Sequence, residues 1–519
     1  MPRRPVPLCS PNIGQLRRRF SAEADSLTAS ELCAPLFMFS TSKLLVVSIV
    51  VAAFALAAAP ARQNSKADGP LAVVRIHGEQ GQAVPGNFLG LSHEWANNQA
   101  LLGYSKVGTN LVYRQLLKNL TSFGSDPIEL RIGGNSTDNN GKPSGDRMKP
   151  FAELATALHS PFIVGINLGS NDVALSQNQV QFYLSEMPKG SIEAFELGNE
   201  PDHYSKRKMR PDPYSVADYL QDFDKWKAAL LPMFPKGVLL AGPSWGATDL
   251  ISNTSNITTF LDREASSLGV LSLHFYAGSP YANQPVDALL RPRSATSGPQ
   301  LFSPAVAAAH SKHIPFRVTE LNSFYGVGIH GQSDAFSAAL WSIDTMFEYV
   351  KAGVDGVNWE ADGLNFCSPF LFTRTPSGQA YTFTLKTATP LYYGMYFFQA
   401  ATAKKSKLLA ADVNTRANLK AWATKDGEGQ VRLAILNKDE SATGKVVVEM
   451  DGAREATVER LTAPSYTSLN GVTFAGQTLD GSADGNFLGS KKMETIKAKD
   501  GRFEIEMPVT SAALVTFRK

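Results

Sequence analysis

Eight short apolar runs occupy the middle of this 519-residue sequence, at 88–92, 128–132, 162–167, 192–197, 238–241, 270–275, 316–319 and 354–359. Stretches with helical spacing separate most of them. Strands alternating with helices imply βαβ units and a parallel sheet. Eight such repeats imply closure into a barrel, so the expected fold class is α/β, a (β/α)8 (TIM) barrel. With 43% hydrophobic and 19% charged residues, the chain has ample material for a large core.

Two helical segments support this reading. Ser215 precedes Asp218 by three, the spacing of an N-terminal cap, and Val216, Leu220, Phe223, Trp226 and Leu230 then recur on one face. Phe336, Leu340, Ile343, Phe347 and Val350 do the same, with Gly353 placed to end the helix. Both stripes are expected to pack on the sheet.

Beyond about residue 402 the helical spacing stops. Runs at 419–423, 431–436, 445–450, 456–461, 503–507 and 513–517 read as strands between Gly, Asp and Asn turns, the pattern of a C-terminal β-sandwich domain. The segment 463–484, rich in Ser, Gly and Thr, is expected to be an exposed loop. A further strand is expected at 71–76, before the barrel.

The first sixty residues fit neither domain. Residues 44–61 form a nearly unbroken apolar run after Lys43, and Ala59-Pro60-Ala61 offers a small-residue cleavage site. That is a secretory signal pattern, and the run is short for a membrane span. The expected location is therefore secreted or periplasmic, with membrane contact only through this segment if it stays uncleaved. Met38 stands where a signal peptide of ordinary length begins, so residues 1–37 are expected to be a spurious extension. Without residues 1–61, which hold six basic and three acidic residues, the formal charge of +3 becomes zero, with 44 of each sign. Such a chain has no global field to capture nucleic acid. Cys9 and Cys33 go with that segment, and Cys367 alone remains. No zinc or calcium motif is present, so no metal or cofactor is expected.

In barrels of this kind, chemistry sits where the strands end. The run 192–197 ends in Gly198-Asn199-Glu200-Pro201, and the run 316–319 ends in Glu320. A charge at the end of a buried strand is costly without a partner or a task. Two strand-end carboxylates on one rim are what glycosidic bond cleavage requires. Asn199 is placed to hydrogen-bond a sugar 2-hydroxyl, and Tyr276 to hold Glu320 ionised. Glu94 is placed to take sugar hydroxyls at the closed end of the pocket. Arg131 should point into the mouth and keep Glu320 charged. The charge of Glu320 is expected to raise the pKa of Glu200. Glu193 and Glu196, on the strand before Glu200, receive no role. Lys206, Arg207, Lys208 and Arg210 form either a solvated face or contacts to an acidic leaving group.

At these residues the chain resembles the large clan of retaining glycosidases with (β/α)8 barrels. His274-Phe275-Tyr276, Ser323-Phe324-Tyr325-Gly326 and the segment from Asp334 to Trp341 narrow the resemblance to the β-glucuronidase and heparanase family. It covers roughly residues 70–519. The resemblance implies that Glu200 is the acid/base and Glu320 the nucleophile of a retaining mechanism. It also implies that Tyr325 and Gly326 hold a uronate carboxylate, and that the strand near Val73 joins the β-domain. The expected domains are therefore 1–61 (signal segment and extension), 85–401 (barrel), and 68–84 with 402–519 (β-sandwich). The expected activity is release of terminal β-linked glucuronic acid from a glycan or glycoconjugate. An endo-acting heparanase-like hydrolase and a carbohydrate-binding protein that has lost catalysis are the alternatives.

Overall fold

The computed structural model describes residues 69–96, 99–104, 108–139, 145–378 and 380–518. The expected signal segment, Met38, Cys9 and Cys33 lie outside them. No helix among the described residues is long and apolar enough to cross a membrane.

Eight parallel strands close the barrel in chain order: Leu89–Glu94, Glu129–Gly133, Phe162–Ile166, Ile192–Leu197, Leu239–Trp245, Leu268–Gly278, Phe316–Phe324 and Gly356–Glu360. The eighth pairs with the first, Glu360 opposite Ser92. Helices cover the outside. The helix Val216–Leu230 has the expected capping box, and its stripe is buried from Leu220 to Leu230, with Val216 half-buried. In Phe336–Lys351 nearly every side chain is buried, because the β-domain covers the face turned away from the barrel.

The barrel interior is unusually polar. Ile163, Ala194, Ala241 and Val270 form a small apolar cluster on the third to sixth strands. On the other strands Arg317, Glu129 and Asn358 fill the lower interior, and Arg131 and Ser92 stand above them.

The β-rich domain is one continuous path of hydrogen-bonded strands that folds back on itself, so the two layers of the expected sandwich are halves of one sheet. Phe503 at one end of the path packs against Phe517 near the other, with ring centroids 5.3 Å apart. The strand Ala72–Ala83, before the barrel, inserts between Lys407–Thr415 and Gly444–Glu449, antiparallel to the first and parallel to the second.

Contacts between barrel and sheet are apolar and ionic together. Trp422 stacks on Phe347 with centroids 5.4 Å apart. The Lys438 ammonium, fully buried, pairs with buried Asp344, and Lys420 bonds Glu348 at 2.6 Å. The segment 463–484 departs from expectation. Val472, Phe474 and Leu479 are buried, and Phe474 packs on Tyr396 and Phe397 of the helix Pro390–Ala401. The carbonyls of Tyr466 and Ser468 accept hydrogen bonds from the N–H groups of Ser337 and Phe336, which open the helix Phe336–Lys351. A helix start has no internal acceptors for its first N–H groups, and this loop supplies two. Its polar composition hid the few apolar residues that anchor it.

Candidate active site

The C-terminal ends of the strands surround a cavity of about 1210 Å³. Glu200 and Glu320 face each other in it, with an oxygen of each within 4.8 Å of the other.

Glu200 follows the fourth strand in a left-handed conformation, φ 48° and ψ 58°. Non-glycine residues rarely adopt this conformation. It is held by the Glu200 N–H, which donates to Ser244 O at 3.1 Å, and by the short turn that begins at Pro201. The opposite wall is fitted to the carboxyl: a Cβ on Gly246 would lie 2.7 Å from Glu200 Oε1. Arg207 donates to Glu200 Oε2, while His203 Nδ1 lies 3.4 Å from Oε2 and His274 Nδ1 3.5 Å from Oε1. Burial pushes this carboxyl up, but hydrogen bonds from His203 and His274 and the charges of His274 and Arg207 outweigh it and hold the pKa well below the usual range. The expectation that Glu320 would raise Glu200 is thus reversed, because three nitrogen-bearing side chains stand closer.

Glu320 lies on the seventh strand, between two donors. Arg131 Nη1 donates to Oε2 at 2.8 Å and the Tyr276 hydroxyl to Oε1 at 2.7 Å. The rest of the Arg131 fork is also used. Nε donates to Glu196 Oε2 at 2.6 Å and Nη2 to Asn199 Oδ1 at 2.7 Å. Glu196, given no role from the sequence, is fully buried and accepts from Thr319 Oγ1 at 2.9 Å as well. Burial would raise its pKa, but Arg131 brings it below the ordinary value. Glu193, by contrast, is exposed.

Asn199 is buried at the end of the fourth strand. Its N–H and the Tyr204 hydroxyl both donate to Asp138 Oδ2, while Asp138 Oδ1 accepts from the N–H groups of Leu168 and Gly169. Asp138 thereby fixes the loops after the third and fourth strands to each other, a role the sequence did not reveal. Since Asn199 Oδ1 faces Arg131, its Nδ2 is left to donate, here to Asn135 Oδ1 at 3.1 Å.

Glu94 lines the cavity at the end of the first strand. It accepts from the N–H groups of Asn135 and Ser136 at 2.9 and 3.1 Å, and from Ser136 Oγ. Burial, with the charge of Glu320, raises its pKa. Gly134, at φ +76°, must lack a side chain, since a Cβ would sit 2.4 Å from this carboxyl.

Tyr325 and Gly326 line the same cavity. Tyr325 is 40% exposed, and its hydroxyl accepts from Ser279 Oγ at 2.8 Å. The Gly326 N–H has no hydrogen-bond partner among the described residues. The basic run divides: Lys206 and Lys208 are exposed, Arg207 reaches Glu200, and Arg210 is buried against Asp222 and the carbonyls of Leu168 and Gly169. For Arg210 neither reading of that run holds, since it pairs inside the protein, whereas Lys206 and Arg207 line the cavity. Glu360, which ends the eighth strand, also lines the cavity and was not singled out.

Residues 417–514 match the glycosyl hydrolase family 79 C-terminal beta domain. A β-glucuronidase from Aspergillus niger is 24% identical over 477 residues, which is 78% of this chain and 86% of that protein. Among solved structures, a 4-O-α-L-rhamnosyl-β-D-glucuronidase from Fusarium oxysporum superposes with a TM-score of 0.70 at 19% identity, over 86% of this chain and all of that one. A family 51 arabinofuranosidase from Xanthomonas axonopodis superposes at 0.64 with 12% identity, over 87% of this chain and all of that one, and shares the fold. With a family 79 domain matched in its C-terminal part and a β-glucuronidase aligned along most of its length, the chain is a glycoside hydrolase similar to the β-glucuronidases.

Proposed function

We propose that this glycoside hydrolase is an exported, retaining exo-β-glucuronidase, with Glu320 as nucleophile and Glu200 as acid/base. The observation that carries this reading is the spacing of the two carboxyl groups. An approach within 4.8 Å suits direct attack on the anomeric carbon, which needs a gap of about 5–5.5 Å, and leaves no room for the water of inversion, which needs about 6.5–9.5 Å.

The surroundings support the division of roles. Glu320 receives two strong donors, which hold its carboxyl oxygens in place for attack. Glu200 is ringed by three nitrogen-bearing side chains, His203, His274 and Arg207. It must gain a proton before it can act as acid, then return as base to activate water against the glycosyl-enzyme. Asn199 is oriented by Arg131 to offer its amide N–H to the sugar 2-hydroxyl. The Gly326 N–H and the Tyr325 hydroxyl on the wall suit the uronate carboxylate, because such donors bind an anion without setting a cation beside the developing oxocarbenium ion. The relatives named for glucuronide substrates support this choice. The apolar run 44–61 supports export, and N-terminal sequencing of secreted protein should give a start just after Ala61.

Aryl β-glucuronide, β-glucoside and β-xyloside compared on one preparation test the specificity, and the glucuronide should be turned over fastest. Glu320→Gln should abolish all turnover. Glu200→Ala should lose about 10²–10⁴-fold and be rescued by azide, giving a β-glycosyl azide. An activated aryl glucuronide should leave its sugar on the peptide that contains Glu320. An α-configured azide, or label on another carboxylate, would overturn the roles.

A further inference from the structure

Six carboxyl groups line the cavity, and five are accounted for. Glu320 is held by Arg131 and Tyr276, and Glu200 by Arg207 with two histidines. Glu94 takes the N–H groups of the short helix Asn135–Asn139, and Asp362 takes those of Leu364 and Asn365. Asp249 is exposed, so water serves it. Glu360 differs from all of these. It is sheltered, it faces the cavity, and its carboxyl has no hydrogen-bond partner among the described residues. A sheltered polar group without a partner is costly unless a ligand supplies one.

Its place on the rim says which part of a ligand it meets. The closure order around the barrel is seventh strand, eighth, first, second, so the eighth lies diametrically opposite the fourth, which carries Glu200. With the leaving group on the Glu200 side, the far end of the sugar ring points at the eighth strand. Passing from the Tyr325–Gly326 loop after the seventh strand to Glu360 and then to Glu94 follows the ring from C5, which bears the carboxylate, to C4 and C3.

We infer that Glu360 is a substrate-binding residue that hydrogen-bonds the 4-hydroxyl of the sugar being cleaved, and so selects substrates whose 4-hydroxyl is free. The inference rests on the glucuronidase reading above. Burial pushes the Glu360 carboxyl well above the ordinary range, the charges of Glu320, Glu94 and Asp362 add to this, and only Arg131 opposes. Glu360 therefore keeps a proton at pH values where ordinary carboxyls have lost theirs. It can donate to the hydroxyl and adds no charge beside the uronate. A 4-O-substituted sugar would bring bulk where Glu360 stands and remove the hydroxyl proton.

The test is a cycle of Glu360→Ala and Glu360→Gln on an aryl β-glucuronide and on its 4-deoxy analogue, with melting temperatures measured alongside. Glu360→Ala should lower kcat/KM on the glucuronide on the order of 10–100-fold, mostly through KM. Glu360→Gln, which still donates and accepts, should stay within about fivefold of wild type. On the 4-deoxy sugar the wild type and the alanine variant should agree within about twofold, because the contact no longer exists. An equal loss on both sugars, or no loss on either, would overturn the inference. Glu360→Met, of similar length, answers the same question if the alanine variant does not fold. If the wild type ignores the glucuronide but cleaves another aryl β-glycoside, the uronide specificity fails. The same cycle on that glycoside and its 4-deoxy form then still decides the role of Glu360.

Discussion

The two ends of the barrel interior each bury an arginine against a glutamate, yet they behave oppositely. At the lower end Arg317 Nε reaches Glu129 at 2.6 Å and Asn358 at 2.9 Å, and Nη2 reaches the carbonyl of Asn87. At the upper end Arg131 serves Glu196, Glu320 and Asn199 at once. Burial pushes Glu129 up to about 8 despite Arg317, whereas Arg131 pulls Glu196 below its ordinary value. The lower pair is capped by chain and closed. The upper arginine carries two carboxylates, and one of them opens on the cavity. A buried ion pair does not by itself make function. What separates the ends is a surplus negative charge aimed at ligand space.

Breaking the upper fork gives the largest expected effect. Arg131→Met strands buried Glu196, so unfolding free energy should fall by about 3–5 kcal/mol, and turnover of the folded fraction by about 10²–10³-fold. Arg317→Met should cost similar stability but leave turnover per folded molecule within about threefold. If denaturation and kinetics showed equal turnover losses, the contrast between the ends would collapse. Tyr276→Phe removes one hydrogen bond to a charged group, about 1.5–3 kcal/mol, and should slow glycosylation on the order of 10–150-fold. Glu196→Gln should lower kcat about tenfold with KM little changed, since it loosens Arg131 and touches no substrate.

The remaining effects are read against pH. Cations depress Glu200, so the protonated form that donates to the leaving group is lost early as pH rises, and kcat/KM should fall from a maximum below neutrality. Arg207→Gln should move that alkaline limb to higher pH. A limb that stays in place would remove Arg207 from the control of Glu200. At the lower end Glu129 is raised in the folded state, so folding binds a proton there that the unfolded chain has lost. Its contribution to stability is full below the ordinary carboxyl pKa and declines as pH rises to about 8. The melting temperature of Glu129→Gln minus that of wild type should therefore grow between pH 5 and about 8. A constant difference would mean that Glu129 titrates alike folded and unfolded.

Much of this was legible in the sequence, and the rest was hidden for identifiable reasons. Strand counting found the barrel, because each strand needs a run of apolar residues whatever its neighbours are. Glu200, Glu320 and Arg131 could be placed because strand ends project to one rim. Glu196 was passed over although its parity was readable: Ala194 faces the barrel interior, so the residue two further on does too. Asp138 and Arg207 act through loops whose course no periodicity specifies. Glu360 sits at the end of a recognised strand. Its distinction is the lack of a partner, which only the arrangement of the other five carboxyls reveals.

The strand Ala72–Ala83 leaves the ribosome first among the described elements, yet both its sheet partners belong to the last part of the chain to be made. The acceptors for the first N–H groups of the helix Phe336–Lys351 come later still, at Tyr466 and Ser468. A nascent chain that stops after the eighth barrel strand therefore holds an unpaired strand edge and an unfinished helix. It must be kept from self-association until translation ends. Premature termination between Asn365 and Lys407 should be as damaging as loss of the nucleophile, although every residue of the cavity wall would by then have been synthesised.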